Sequence, residues 1–133
     1  MNPTAADDRA EIHDLLARYC LLLDLDDMDA WLELFTQDGV YEVYGRRAEG
    51  RDGIRRLLTG APGGLHLGGP PVVDLDGDRA TTLRNLLFVD RSTGEARQAV
   101  YDDDLVRTAD GWRIARCRCR FHGPGGLADR PPS

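Results

Sequence analysis

Three side chains of this sequence have types that do chemistry and positions that ask for an explanation: Tyr19, Asp24 and His66. Asp24 follows the run Leu21-Leu22-Leu23 and closes a helical pattern, at the end where the helix dipole is negative and a carboxylate is disfavoured. Its neighbours have ordinary roles, since Asp26 or Asp27 can cap the next helix and Asp29 falls in that helix's first turn. Asp24 is therefore solvated, bonded to the following turn, or held in place by a partner. Tyr19 lies on the apolar stripe of the same helix, where a core tyrosine with a satisfied hydroxyl is the plainer reading. His66 stands in the Gly-rich segment GGLHLGG, where simple exposure is the plainer reading. The chemistry open to such residues is acid/base. Elimination of water beside a carbonyl needs a base for the α-proton, an acid for the departing hydroxyl and a donor to the carbonyl oxygen, and one imidazole can be base first and acid second. On an ideal helix positions 19 and 24 lie about 140° apart, so both border one pocket only where the helix ends or distorts near Leu23.

The elements that must position these residues are legible as patterns. Ile12, Leu15, Leu16, Tyr19 and Leu23 form the buried stripe of a helix over residues 7–23, with Asp7, Asp8 and Glu11 in its first turns. Met28, Trp31, Leu32 and Phe35 repeat the spacing for a second helix. A strand over 40–44 follows the Asp38-Gly39 turn, and a short third helix capped near Asp52 carries Ile54, Leu57 and Leu58 and stops at Gly60. GAPGGLHLGGPP reads as a loop. Two strands meet at Asp76-Gly77-Asp78, two more at Ala109-Asp110-Gly111, and 122–133 reads as a flexible tail. Helices in front and consecutive hairpins behind predict an α+β layer. One curved sheet, mixed or antiparallel, carries three N-terminal helices on its concave face and leaves a pocket between the first helix and the sheet.

At 133 residues the chain fits one domain spanning 1–133, with a core over about 7–121. A net charge of −6, with every basic residue an Arg, argues against nucleic acid and anionic lipid surfaces. The start lacks an apolar leader, and no stretch approaches the roughly 20 apolar residues of a membrane span, so the cytoplasm is the expected compartment. Cys20, Cys117 and Cys119 are odd in number and read as reduced thiols; a metal site from Cys117, Cys119 and His122 lacks a second ligand pair, and none is expected. Arg113, Arg116, Arg118 and Arg120 nearly alternate, as one wetted strand face. His13 lies off the helix stripe. Trp31, Phe35, Tyr41, Tyr44, Phe88, Trp112 and Phe121 read as core, with Tyr44, Phe88 or Trp112 able to line an apolar pocket. Arg84 and Asn85 alternate on TTLRNLLFV, so one of them should face the cavity and orient substrate.

The segments LLARYCLLLDLDDMDAWLELFTQDGVYEV, EGRDGIRRLL, VVDLDGDRATT and YDDDLVRTADGWRIA, in this order, resemble the SnoaL-like polyketide cyclase and dehydratase family of the nuclear transport factor 2-like superfamily. The resemblance spans about residues 7–121 and implies a cone-shaped sheet enclosing a pocket. Tyr19 and Asp24 match the Tyr-x4-Asp arrangement of scytalone dehydratase and bile-acid dehydratases, and His66 stands where that group's His precedes the long hairpin. The roles it implies are His66 as base and then acid, Asp24 accepting its other N–H, and Tyr19 donating to the enolate oxygen. Arg84 stands near the place of scytalone dehydratase's second His. In the first strand Glu42 lies beside the place of the ketosteroid-isomerase base, with Val43 at the nearest aligned position. The family implies a cofactor-free enzyme for a small hydrophobic, oxygenated substrate of polyketide or steroid type, acting by dehydration or enolate-mediated cyclisation, and a homodimer. A cyclase that merely templates its substrate and a non-catalytic binding or subunit domain are the alternatives.

Overall fold

The computed structural model describes residues 2–132. A capping box opens the first helix, α1 (Ala5–Asp24): Thr4 Oγ1 accepts from the Asp7 backbone N–H at 3.1 Å, and the Thr4 N–H donates to the Asp7 carboxylate at 2.9 Å. The stripe Ile12, Leu15, Leu16 and Tyr19 is buried. The helix runs unbroken to Asp24 and closes in a Schellman arrangement, the Asp27 N–H donating to the Leu22 carbonyl at 3.0 Å and the Asp26 N–H to that of Leu23 at 3.1 Å. Asp26 takes the left-handed conformation this closure needs, with φ 57°. Asp27 then caps α2 (Met28–Leu32), accepting from the Ala30 N–H at 3.2 Å.

From here the chain departs from the sequence expectation in five places. The second helix ends at Leu32, and Phe35 opens β1 (Phe35–Val43), because a buried residue seven positions after Met28 suits an inward strand start as well as a fourth helical rung. Tyr44 lies outside the strand in a turn with φ 57°, leading to β2 (Arg46–Glu49), whose polar composition carries no apolar period to detect. The helix α3 (Gly50–Leu58) is preceded by Glu49, with Asp52 in its first turn and not at its cap. The segment read as a loop contains β3 (Gly64–Gly68), and the segment read as a flexible tail contains β8 (Gly126–Ala128).

The remaining strands are β4 (Val72–Asp76), β5 (Arg79–Asp90), β6 (Ala96–Thr108) and β7 (Gly111–Gly123). They form one curved sheet in the order β2-β1-β7-β6-β5-β3, with β4 also on β5 and β8 on β7. The β1–β7 pair is parallel and the rest antiparallel, so the sheet is mixed. Period-two alternation sorts its faces. Along β5, Ala80, Thr82, Arg84 and Leu86 point to the buried side, while Thr81, Leu83 and Asn85 are exposed. Tyr19 of α1 and Trp31 of α2 meet that inner face, with ring centroids 5.8 Å from Tyr19 to Tyr101 and 5.9 Å from Trp31 to Tyr41. Edge-to-face ring contacts of this kind each add about 0.5–1.5 kcal/mol to their area burial. No helix among the described residues is long and apolar enough to cross a membrane.

Candidate functional site

The last residue of α1 and the middle residue of β3 meet. His66 Nδ1 lies 2.8 Å from Asp24 Oδ1, and the His66 backbone N–H donates to both carboxylate oxygens, at 2.9 and 3.2 Å. Asp24 is thereby retained at the unfavourable end of its helix because one carboxylate fixes both the ring and the backbone of the residue opposite. Its own carbonyl accepts from Arg91 Nη2 at 3.3 Å. A carboxylate can only accept, so Nδ1 carries the proton that faces Asp24, and in the neutral ring Nε2 has the lone pair. The ring is held from the other side by Phe88, its cross-strand partner, at 4.9 Å between centroids. Both members of the pair are mostly shielded, with 16% of the His66 side chain and 20% of that of Asp24 exposed.

Two hollows border His66. One, of about 500 Å³, runs between α1 and β3; Leu16, Cys20, Leu21, Leu65 and Leu67 wall it, and His13 and Arg84 also line it. The other, of about 210 Å³, lies beneath the end of α1 and is lined by Leu23, Met28, Tyr41, Leu58 and Pro62. A third hollow, of about 620 Å³, lies between residues 95–98 and Pro131 and Pro132 and holds the exposed His122 without an acid/base pair. No group of three or more His, Cys, Asp or Glu side chains among the described residues is arranged for a metal ion. Cys117 and Cys119 point into the core and His122 away from it.

Tyr19 does not reach the pair. Because α1 stays regular through Asp24, Tyr19 turns into the core, wholly buried, and lines neither hollow beside His66. Its hydroxyl instead shares a 2.6 Å hydrogen bond with that of Tyr41, which does line the smaller hollow. Burial pushes the phenols of Tyr19, Tyr41 and Tyr101 well above their ordinary pKa, so they stay protonated and act as donors, not bases. Tyr41 was legible only as a core aromatic; alternation placed it opposite Glu42, but nothing in the sequence said which side was the hollow.

Arg84 points inward and Asn85 outward, which corrects the expectation that Asn85 serves the pocket; alternation allows only one of them inside. Arg84 makes a buried ion pair with Asp103, Nε to Oδ2 at 3.0 Å and Nη2 to Oδ1 at 3.3 Å. Burial works against the Arg84 charge, yet the Asp103 carboxylate holds its pKa well above the ordinary value. Glu42 also faces outward, accepting from Arg116 Nε at 2.9 Å, and lines neither hollow beside His66. Tyr44 stacks on Phe121 at 5.3 Å and accepts from Arg97 at 2.8 Å, outside both hollows. Trp112 is wholly buried near the start of α1, its Nε1 donating to Asp8 at 3.0 Å, and lines neither hollow.

A helix laid across the inner face of a curved mixed sheet, with a pocket at its C-terminal end, defines the cystatin-like, NTF2-like class. The SnoaL-like domain profile matches residues 4–118, and the chain belongs to that family. It is 35% identical over 124 residues to an uncharacterized protein of Mycobacterium tuberculosis, covering 82% of each chain. An NTF2-like protein with a cystatin-like fold from Novosphingobium aromaticivorans superposes with a TM-score of 0.77 at 34% identity, over 86% of this chain and 81% of that one. A candidate scytalone dehydratase from the same organism reaches 0.77 at 20% identity, over 93% and 88%, a likeness of fold.

Proposed function

We propose that this chain is a cofactor-independent acid/base lyase that dehydrates a small hydrophobic, oxygenated molecule of polyketide or steroid type, with enolate-mediated cyclisation as the related outcome. The observation that carries this reading is the 2.8 Å contact of His66 Nδ1 with Asp24 at the border of two hollows. His66 Nε2 takes the proton α to the carbonyl, and the electron pair moves into an enolate. Asp24 stabilises the imidazolium that forms, which then returns the proton to the β-hydroxyl as the C–O bond breaks and water leaves. Tyr41, kept protonated by burial, donates to the enolate oxygen, and Tyr19 orients the Tyr41 hydroxyl from behind.

Turnover of a panel of β-hydroxy ketones by wild type, His66→Ala and Asp24→Asn tests the reading, with circular dichroism to confirm that each variant is folded. Each variant is expected to lose about 10²-fold or more in kcat. Unchanged turnover in both rejects the mechanism, and no turnover by wild type across the panel favours a binding module.

A further inference from the structure

Arg97 carries a charge that no carboxylate among the described residues meets. It shares the inward parity of Ala99 and Tyr101 on β6, and one row of the sheet register runs from His66 to Phe88 to Arg97. Two strand spacings, roughly 10 Å, therefore separate it from His66, and Phe88 lies between them. Its Nη1 donates to the Tyr44 hydroxyl at 2.8 Å. Nε and Nη2 bond to no described residue, and neither is a buried atom left unpaired, so that edge of the guanidinium is open to solvent. Arg97 lines the third hollow and neither of the two beside His66. Tyr44 fixes how the guanidinium stands. Tyr44 and Gly45, with φ 57° and 70°, form the two-residue turn between β1 and β2. Such a turn favours Asn, Asp or Gly at both places, and a bulky residue with positive φ is strained. The turn gains nothing from a tyrosine, whereas its side chain stacks on Phe121 at 5.3 Å and holds Arg97 by a hydrogen bond.

We infer that this hollow is a ligand site separate from the acid/base pair, for a small aromatic carboxylate whose anionic group takes the Nε–Nη2 fork of Arg97. With Nη1 occupied by Tyr44, that fork is the geometry a carboxylate accepts bidentately. Pro124, Pro131 and Pro132 give the hollow flat apolar surfaces, and about 620 Å³ accommodates a ring. Pro132 lies over the end of β7, where a Cβ on Gly123 would meet its ring at 3.5 Å. The other titratable groups lining the hollow are Glu95 and His122, both exposed, and the Glu95 carboxylate weakens the binding of an anion there. A neutral amide of the same shape leaves the Arg97 charge unmatched, and inorganic phosphate matches the charge but leaves the prolines uncovered. The ligand sits across Phe88 from His66, so the site stands whether or not the acid/base reading does.

Titration with benzoate, benzamide and inorganic phosphate in low-salt buffer tests this, followed by the ¹⁵N resonance of Arg97 Nε and, in the variants, by the Gly123 amide. Benzoate is expected to shift the Arg97 resonance saturably in the millimolar range, about tenfold more tightly than benzamide, and more tightly than phosphate. Arg97→Lys keeps the charge but not the fork and is expected to weaken benzoate about tenfold. Tyr44→Phe, which frees Arg97 but keeps the ring, is expected to weaken it less. Glu95→Gln is expected to tighten it, and His66→Ala to leave it unchanged. Benzamide or phosphate binding as tightly as benzoate, full affinity in Arg97→Lys, or no saturable shift of Arg97 overturns the proposal. Lost benzoate binding in a folded His66→Ala places the ligand beside His66 and overturns it as well. If Arg97→Lys does not fold, the three probes and Glu95→Gln decide. Benzoate binding intact in a protein without dehydration turnover removes the acid/base reading alone, and turnover without benzoate binding removes the Arg97 site alone.

Discussion

Asp24 bonds the amide and the imidazole of one residue together, so ring orientation and strand position are set by a single carboxylate. Of the two tyrosines nearby, the sequence singles out Tyr19 for the site and leaves Tyr41 to the core. Tyr41 lines the smaller hollow that His66 borders, and its hydroxyl shares a hydrogen bond with that of Tyr19 in the core. Tyr41→Phe is therefore expected to lower kcat by about 10–10²-fold, with KM little changed, since it removes a donor that strengthens as charge develops on the substrate oxygen. Tyr19→Phe leaves the Tyr41 hydroxyl in place without its support and is expected to cost less than about tenfold. Steady-state kinetics of the two variants on one substrate checks the order, and a larger loss in Tyr19→Phe reverses the assignment.

At the scale of elements, the site depends on β3 lying flat on β5. Gly64 permits this: a Cβ there would run into the Val89 carbonyl and meet Phe88 Cε2 at 2.9 Å. Gly64→Ala is expected to destabilise the fold by about 1–3 kcal/mol and to displace His66 from Asp24, read as a lower urea midpoint together with lost turnover. The far end of α1 is tied down by charge. Asp8 accepts from Arg107 at 2.7 and 2.8 Å and from Trp112 Nε1 at 3.0 Å, joining the helix to β6 and β7. The Arg107 hydrogen bonds, then that of Trp112, hold the Asp8 carboxyl below its ordinary pKa of 3.8. A depressed folded-state pKa contributes stability that is present above the ordinary value and lost as pH falls through the folded one. The urea midpoint of wild type should therefore exceed that of Asp8→Asn near neutrality, and the gap should close as pH drops below about 3.8.

For the molecule as a whole, the two sheet faces divide the work. The inner face carries the aromatic cluster, the Arg84–Asp103 pair and the hollows. The outer face is laced by charge, with Arg116 bonded to Glu42 at 2.9 Å, Asp102 at 3.1 Å and Asp104 at 3.3 Å, and Arg120 to Asp102 at 3.4 Å. Leu83, on the same face of β5, stays 49% exposed. A homodimer joined through this face is the expected assembly. Sedimentation equilibrium should give about twice the 14.7 kDa of one chain, and Leu83→Arg should shift the distribution toward monomer. A single-chain mass for wild type at all concentrations rejects it.

Periodicity alone determined the layer order: the stripe Ile12, Leu15, Leu16 and Tyr19, the second helix at Met28, Trp31 and Leu32, and the hairpins at residues 76–78 and 109–111 follow from local patterns of burial and turn chemistry. The anomaly of Asp24 was also local, because a carboxylate at a helix C-terminus is disfavoured by its own backbone. What answers that anomaly is not local. The separation of 42 positions from Asp24 to His66 is bridged only when β3 pairs with β5, and β3 is a Gly-rich edge strand whose pairing comes from its neighbour, not from its own side chains. The tertiary structure likewise decided which member of an alternating pair looks inward, Arg84 over Asn85 and Tyr41 over Glu42. A strand's sequence carries the period of its two faces, while the choice of the buried one belongs to the helix packed against it.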